Sequence, residues 1–114
     1  MDEKWSDIVK SKVKGVTGHT DVKVSNLGNI KGKDSEGKKV GVVSGKNNRR
    51  KIHLSGSEPI LVYSLVADLF LEPPVKTGNE KFEIHHIDKD SSNDAVTNLK
   101  WVTVEEHVQI HKND

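Results

Sequence analysis

The stretch Lys81-Phe82-Glu83-Ile84-His85-His86-Ile87, then Asp88 to Thr97, then Leu99-Lys100-Trp101-Val102-Thr103, decides how the C-terminal part of this chain folds. Its first seven residues alternate like a β-strand. Asp88 to Thr97 is rich in Asp, Ser and Asn, whose short polar side chains cap turns, so it reads as a structured loop. Leu99 to Thr103 alternates again, with Leu99, Trp101 and Thr103 on one face and Lys100 and Val102 on the other. Thr103-Val104-Glu105-Glu106 fits a capping box, and the helix it opens carries His107 and His111. The order is strand, loop, strand, helix.

Upstream, Leu61, Leu65 and Leu69 form one helical stripe with Val62, Val66 and Phe70 beside it. Ser57 serves as N-cap and Pro59 falls in the first turn, where its missing N–H costs nothing. Glu72-Pro73-Pro74 ends the helix, because a residue before proline is pushed out of the α region. A linker, Val75 to Glu80, follows. Further upstream the chain reads as short strands and turns. Val22 and Val24 flank Lys23, Ser25 to Asn29 supplies turn chemistry, and Ile30 resumes. Lys38 to Val43 is β-rich, and Ile52 and Leu54 flank His53. Gly32 to Gly37 and Gly45 to Asn48 read as hairpin connections. The expected fold class is α+β, with a small antiparallel sheet unit and a linking helix before the histidine-bearing unit. The expected division is a basic β-rich module over 1–54 and the linking helix plus histidine unit over 55–114.

Composition narrows the function. Hydrophobic residues make up 32% of the 114, enough for one modest core. The absence of cysteine excludes disulfide frameworks, thiolate zinc sites and cysteine nucleophiles. Ile60 to Leu71, the longest apolar stretch, is broken by Ser64 and Asp68 and is too short to span a bilayer. Asp2, Glu3 and Lys4 follow Met1 with no apolar signal segment, so a cytoplasmic, intracellular setting without membrane association is expected.

The net charge of +1 conceals an asymmetry: Lys10 to Lys51 carries +9, whereas Ser55 to the end carries −6. Lysines on hairpins are often only a solvated face, but a cluster of like charge also suits a polyanion. Lys31, Lys33, Lys38, Lys39, Lys46, Arg49, Arg50 and Lys51 are the candidate DNA-contacting residues.

The acidic part holds four of the six histidines. His107 and His111, at i and i+4, share one helical face, and the His85-His86 strand lies opposite. An i, i+4 histidine pair or a His-His dipeptide alone carries little weight. A strand pair and a helix that both bring histidines can together enclose one ion, and three imidazoles with an open position describe a catalytic metal site. Alternation sends His85 and His86 to opposite sides, so one can hold a metal while the other faces a substrate. Asp88, Asp90 and Asp94 suit turn capping better than ligation. His19 and His53 are given no role, and Trp5 and Trp101 read as core.

Glu83 to Asp94 followed by Thr97-Asn98-Leu99-Lys100-Trp101-Val102-Thr103 resembles the HNH motif of phage and intron-encoded homing endonucleases. Val22 to Ile30, with Trp5 upstream, resembles the NUMOD-type module often found before this nuclease. The resemblance implies a ββα-metal finger and a metal-dependent endonuclease acting on double-stranded DNA, leaving 5′-phosphate and 3′-hydroxyl ends. It places His86 at the general base and Asn98 at the residue that ties the loop between the strands. His85, His107 and His111 fall at metal-ligand positions. Three imidazoles depart from the usual phage arrangement and make the single divalent ion Zn²⁺, Ni²⁺ or Mn²⁺ as readily as Mg²⁺. One copy of such a site cuts one strand, so a monomer nicks and a homodimer can break both. The alternative is a non-catalytic DNA-binding module with a structural zinc site, which has no use for a free imidazole beside the ligands.

Overall fold

The computed structural model describes residues 2–75 and 78–112, the side chains of His111 and Lys112 excepted. Among the described residues, three antiparallel sheets and two α-helices make up an α+β fold. Strands β1 (Trp5–Asp7), β2 (Asp21–Ser25) and β3 (Ile30–Lys33) form the first sheet. Strands β4 (Val42–Ser44), β5 (Arg50–Ile52) and β6 (Ile60–Leu61) form the second, from which helix α1 (Val62–Phe70) leaves directly. Strands β7 (Phe82–His86) and β8 (Leu99–Thr103) form the third, and helix α2 (Val104–Lys112) closes the chain.

The alternation in β2 places Val22 and Val24 fully inside while Asp21 and Lys23 stay in water. Its turn is closed by the Ser25 hydroxyl, which accepts from the N–H groups of Leu27 (3.2 Å) and Asn29 (3.1 Å). Strand β1 has too few residues to show a period. Asn26 holds the chain just before it: its Oδ1 accepts from Lys4 N–H at 2.8 Å, and its own N–H donates to Lys4 O at 3.0 Å. The Lys38 to Val43 segment is less regular than its composition suggests: Lys39 makes one bridge to Lys33, Val40 is buried, and the strand begins at Val42. The turn before it is organised by Asp34, whose Oδ1 accepts from Glu36 and Lys38 and whose Oδ2 accepts from the Ser55 hydroxyl at 2.6 Å. Above all the Ser55 bond, with help from backbone N–H groups, holds the Asp34 carboxyl down to about 2.

The linking helix starts four residues later than the Ser57 cap implies. Ile60 and Leu61 pair with Ile52 and Lys51 as β6, and α1 begins at Val62. Extended pairing buries Ile60 against the core, a tertiary gain that overrides the local start signal. Accordingly the buried stripe is Val62, Leu65 and Val66, and Leu61 lies before the helix. Leu71 is already extended ahead of Pro73 and Pro74, as expected.

Val22, Val24, Ile52, Val62, Leu65 and Leu99 belong to one hydrophobic cluster that draws on all three sheets, with Ile84 and Trp101 packed against it. Full burial of each such side chain contributes roughly 1.5–3 kcal/mol. Among the described residues no helix is long and apolar enough to cross a membrane.

Candidate active site

Strands β7 and β8 pair Glu83 with Val102, Ile84 with Trp101, His85 with Lys100 and His86 with Leu99. Alternation therefore gives this ribbon two different faces. Ile84, His86, Leu99 and Trp101 look toward the core, whereas Glu83, His85 and Val102 look toward α2. That helix is opened by the capping box: the Thr103 hydroxyl accepts from Glu106 N–H and the Glu106 carboxylate from Thr103 N–H, both at 3.0 Å. The Thr103 backbone N–H is also the main reason the Glu106 carboxyl lies below its usual range. The cap aims α2 so that His107 meets His85, ring centroids 5.4 Å apart at 68°. Glu83 accepts from His107 Nδ1 at 2.6 Å, which leaves Nε2 as the lone-pair nitrogen of a neutral ring.

His86 is kept differently. Its ring is buried edge-on to Tyr63 of α1, centroids 5.2 Å apart, and its Nε2 lies 2.9 Å from Asp94 Oδ1. An ionised carboxylate only accepts, so Nε2 carries the proton and Nδ1 the lone pair. Asp94 is itself fully buried, its other oxygen 3.4 Å from Arg50 Nη1. Arg49, one residue earlier, reaches the opposite flank: Nη1 donates to the Tyr63 hydroxyl at 3.0 Å. A cleft of about 100 Å³ is lined by Arg49, His85, His86, Lys89, Ser91 and His107 together with Ile84.

The loop between the strands is built on Asn98. Its Nδ2 donates to Asp88 Oδ1 (2.9 Å) and Asn93 O (2.8 Å), its Oδ1 accepts from Asp88 N–H (3.0 Å), and its backbone O accepts from Ile87 N–H (2.7 Å). Asp88 and Asp90 cap turns, and their carboxyls lie below the usual range, chiefly through the Asn93 amide and the Ser92 hydroxyl respectively. The segment 76–109, which takes in the strand, the tied loop, the second strand and the capped start of α2, matches the family model described as HNH endonuclease. In sequence, this segment is similar to HNH endonucleases. A solved structure of the HNH homing endonuclease I-HmuI, determined for its DNA binding and cleavage, is similar, with a TM-score of 0.70 and 25% identity over 96% of this chain. The present chain spans 58% of the length of that one. No curated protein matches.

Within this segment, His85 and His107 are the residues that could hold a divalent metal: their rings meet edge-on, and Glu83 turns the His107 lone pair away from itself. Among the described residues no three histidine, aspartate or glutamate side chains gather as a metal-holding group. The His111 side chain lies outside the described residues, and its backbone sits one turn beyond His107 on α2.

The basic residues expected to meet DNA do not share one environment. Lys31 lies over the Trp5 ring, 4.0 Å from its centroid, and Lys38 pairs with Glu36 at 3.6 Å. Lys33 and Lys39 stand opposite each other at the β3 bridge. Lys46 is exposed at the β4–β5 turn and Lys51 is half-buried on β5. That turn abuts the HNH loop, where the Ser91 hydroxyl donates to Asn47 O. Arg50 is the more enclosed of the two arginines. Its guanidinium is spent inside the protein, Nη2 donating to Gly28 O at 2.9 Å and Nη1 facing Asp94, because alternation along β5 turns it away from its neighbours.

Four site residues escaped the sequence reading: Glu83, Tyr63, Asn93 and Asp94. Glu83 is two residues before His85, so period-two alternation already places both on one face. Tyr63 and Asp94 reach His86 through tertiary packing and left no local signal. His19 is buried elsewhere, its Nδ1 accepting from Ser35 N–H at 3.0 Å, and holds a turn.

Proposed function

We propose that this protein is a metal-dependent DNA endonuclease that hydrolyses phosphodiester bonds with His86 as general base. The observation that carries this reading is the separation of two adjacent histidines: His85 meets His107, while His86 stands apart with Nδ1 as its lone-pair nitrogen. Neutral imidazole, with an ordinary pKa of about 6.5, is suited to take a proton from water at neutral pH. Water so deprotonated attacks phosphorus, and the 3′ oxygen leaves, giving 5′-phosphate and 3′-hydroxyl ends. His85, His107 and His111 would hold one divalent ion (Zn²⁺, Mn²⁺, Ni²⁺ or Mg²⁺), which when bound offsets the charge growing on the phosphate and leaving oxygen. Asn98 keeps the loop closed and so keeps His86 in register with the strand pair. Arg49 at the cleft supplies a guanidinium for a DNA phosphate.

Lys31, Lys33, Lys38, Lys39, Lys46, Arg49 and Lys51 make the N-terminal half the DNA-contacting module, in the manner of a NUMOD-type segment. The HNH unit is acidic and gains from such help. A purely structural zinc site is disfavoured, since His86 would be a buried imidazole on the wrong face for it. Supercoiled plasmid incubated with protein and each ion in turn should be nicked by a monomer or linearised by a homodimer, and EDTA should stop it. Failure to cut with every ion, by folded and metal-loaded protein, would overturn the reading.

A further inference from the structure

We propose that Asp94, itself clamped by Arg50, is a positioning residue that fixes the tautomer and orientation of the His86 ring, so that the N-terminal half sets the competence of the catalytic base. The inference rests on the nuclease reading above for its consequence, but its geometry stands independently. Of the three aspartates in the HNH loop, Asp88 and Asp90 are exposed and cap turns. Asp94 alone is turned fully inward. A carboxylate buried there needs partners for both oxygens, and it has them: His86 Nε2 on one, Arg50 on the other. Turn chemistry needs neither contact.

The clamp is prepared by the first sheet. Arg50 is anchored by its bond to Gly28 O, in the β2–β3 turn. Gly28 has φ +85°, and a Cβ placed there would come within 3.0 Å of Asp94 Cβ and 3.1 Å of Arg50 Nη1. The turn therefore needs glycine for its backbone and for the space the pair occupies. The same turn reaches the loop again through Asn26 O, which accepts from Val96 N–H at 2.8 Å. Gly28, Arg50, Asp94 and His86 thus form a chain from the first sheet to the ring. A carboxylate accepting from Nε2–H fixes the proton there and leaves Nδ1 for water. An amide at position 94 can instead donate to Nε2 and put the ring in the opposite tautomer, the failure known for an Asp→Asn change behind a catalytic histidine.

The test uses the full chain, wild-type and Asp94→Asn, with Arg50→Gln as a second variant. Ring ¹⁵N NMR on His86 should show protonated Nε2 in the wild type and a shift toward protonated Nδ1 in Asp94→Asn. Under the ion that supports plasmid cleavage, the single-turnover rate of Asp94→Asn should fall by about 10²–10⁴-fold, with duplex affinity and KM little changed. Arg50→Gln should fall less, in the same direction. If neither variant folds, the wild-type spectrum decides alone: a ring protonated at Nδ1 overturns the proposal. A wild type that cleaves nothing overturns this proposal together with the nuclease reading. Asp94→Asn cleaving at the wild-type rate overturns this proposal and leaves that reading standing.

Discussion

His85 and His86 are neighbours in the chain and belong to different parts of the molecule. His86 is enclosed by the core: Tyr63 comes from α1, Asp94 from the tied loop and Arg50 from the second sheet. His85 faces His107, which rides on a short helix at the periphery and is steadied by the half-exposed Glu83. The contrast teaches that a strand can serve two chemical tasks at consecutive positions, because its two faces meet surroundings of different rigidity. His86 is held by packing, the His85–His107 pair by a cap and one carboxylate.

Substitutions at the two faces should separate most sharply. His86→Ala should lower plasmid cleavage by at least about 10²–10⁴-fold, the contribution expected of a general base, while metal titration and duplex binding stay at wild-type values. His107→Ala should lower metal affinity and cleavage together. A folded, metal-loaded His86→Ala protein with near-normal cleavage would erase the distinction.

Glu83→Gln probes the steadying carboxylate. Loss of such a partner typically weakens metal affinity by about 10–100-fold, so cleavage should fall at low metal and recover as metal is raised. Asp94→Asn should not be rescued by added metal. Equal rescue of both would mean that the two faces do not work separately.

The basic half can be challenged by salt. Replacing Lys46, Arg49 and Lys51 together by Ala should weaken duplex binding and reduce the slope of log K against log salt by roughly 0.9 for each phosphate that the variant no longer neutralises. Metal affinity should be unchanged. An unaltered slope would make these residues a solvated surface.

The smallest effect concerns stability away from the cleft. The Asp34 carboxyl is held down to about 2 from an ordinary 3.8. A depressed folded-state value means that its contribution is fully present above 3.8 and is lost as pH falls through about 2. Asp34→Asn should therefore have a lower urea midpoint than wild type at pH 5, and the gap should narrow toward pH 2. A gap that holds constant would show that the charge is immaterial.

The histidine unit was readable because its determinants are local. Alternation, a capping box and a run of Asp, Ser and Asn each act within a few residues, and they yielded β7, β8, α2 and the opposed directions of His85 and His86. The start of α1 was misread where Ile60 obeyed the sheet instead of the Ser57 cap, and β1 is too short to carry a period. Ile52 and Leu99 share one hydrophobic cluster across 47 positions, something no window of sequence reports. Arg50 read as one more cation in a basic run, since its partner Asp94 is 44 positions away.

The seam between the Asn26–Gly28 turn and the loop joining β7 and β8 bears on how chains of this kind can be recombined. The linker after Pro73 and Pro74 offers an inviting crossover point for joining one parent's C-terminal unit to another's N-terminal half. A unit transplanted there would bring Asp94, Ser91 and Val96 into a new host without the Arg50 guanidinium and the Asn47 and Asn26 carbonyls they meet in this one. Viable chimaeras must therefore match at positions 26, 28, 47 and 50 as well as at the junction, and lineages that exchange this segment will have to inherit those distant positions as a set.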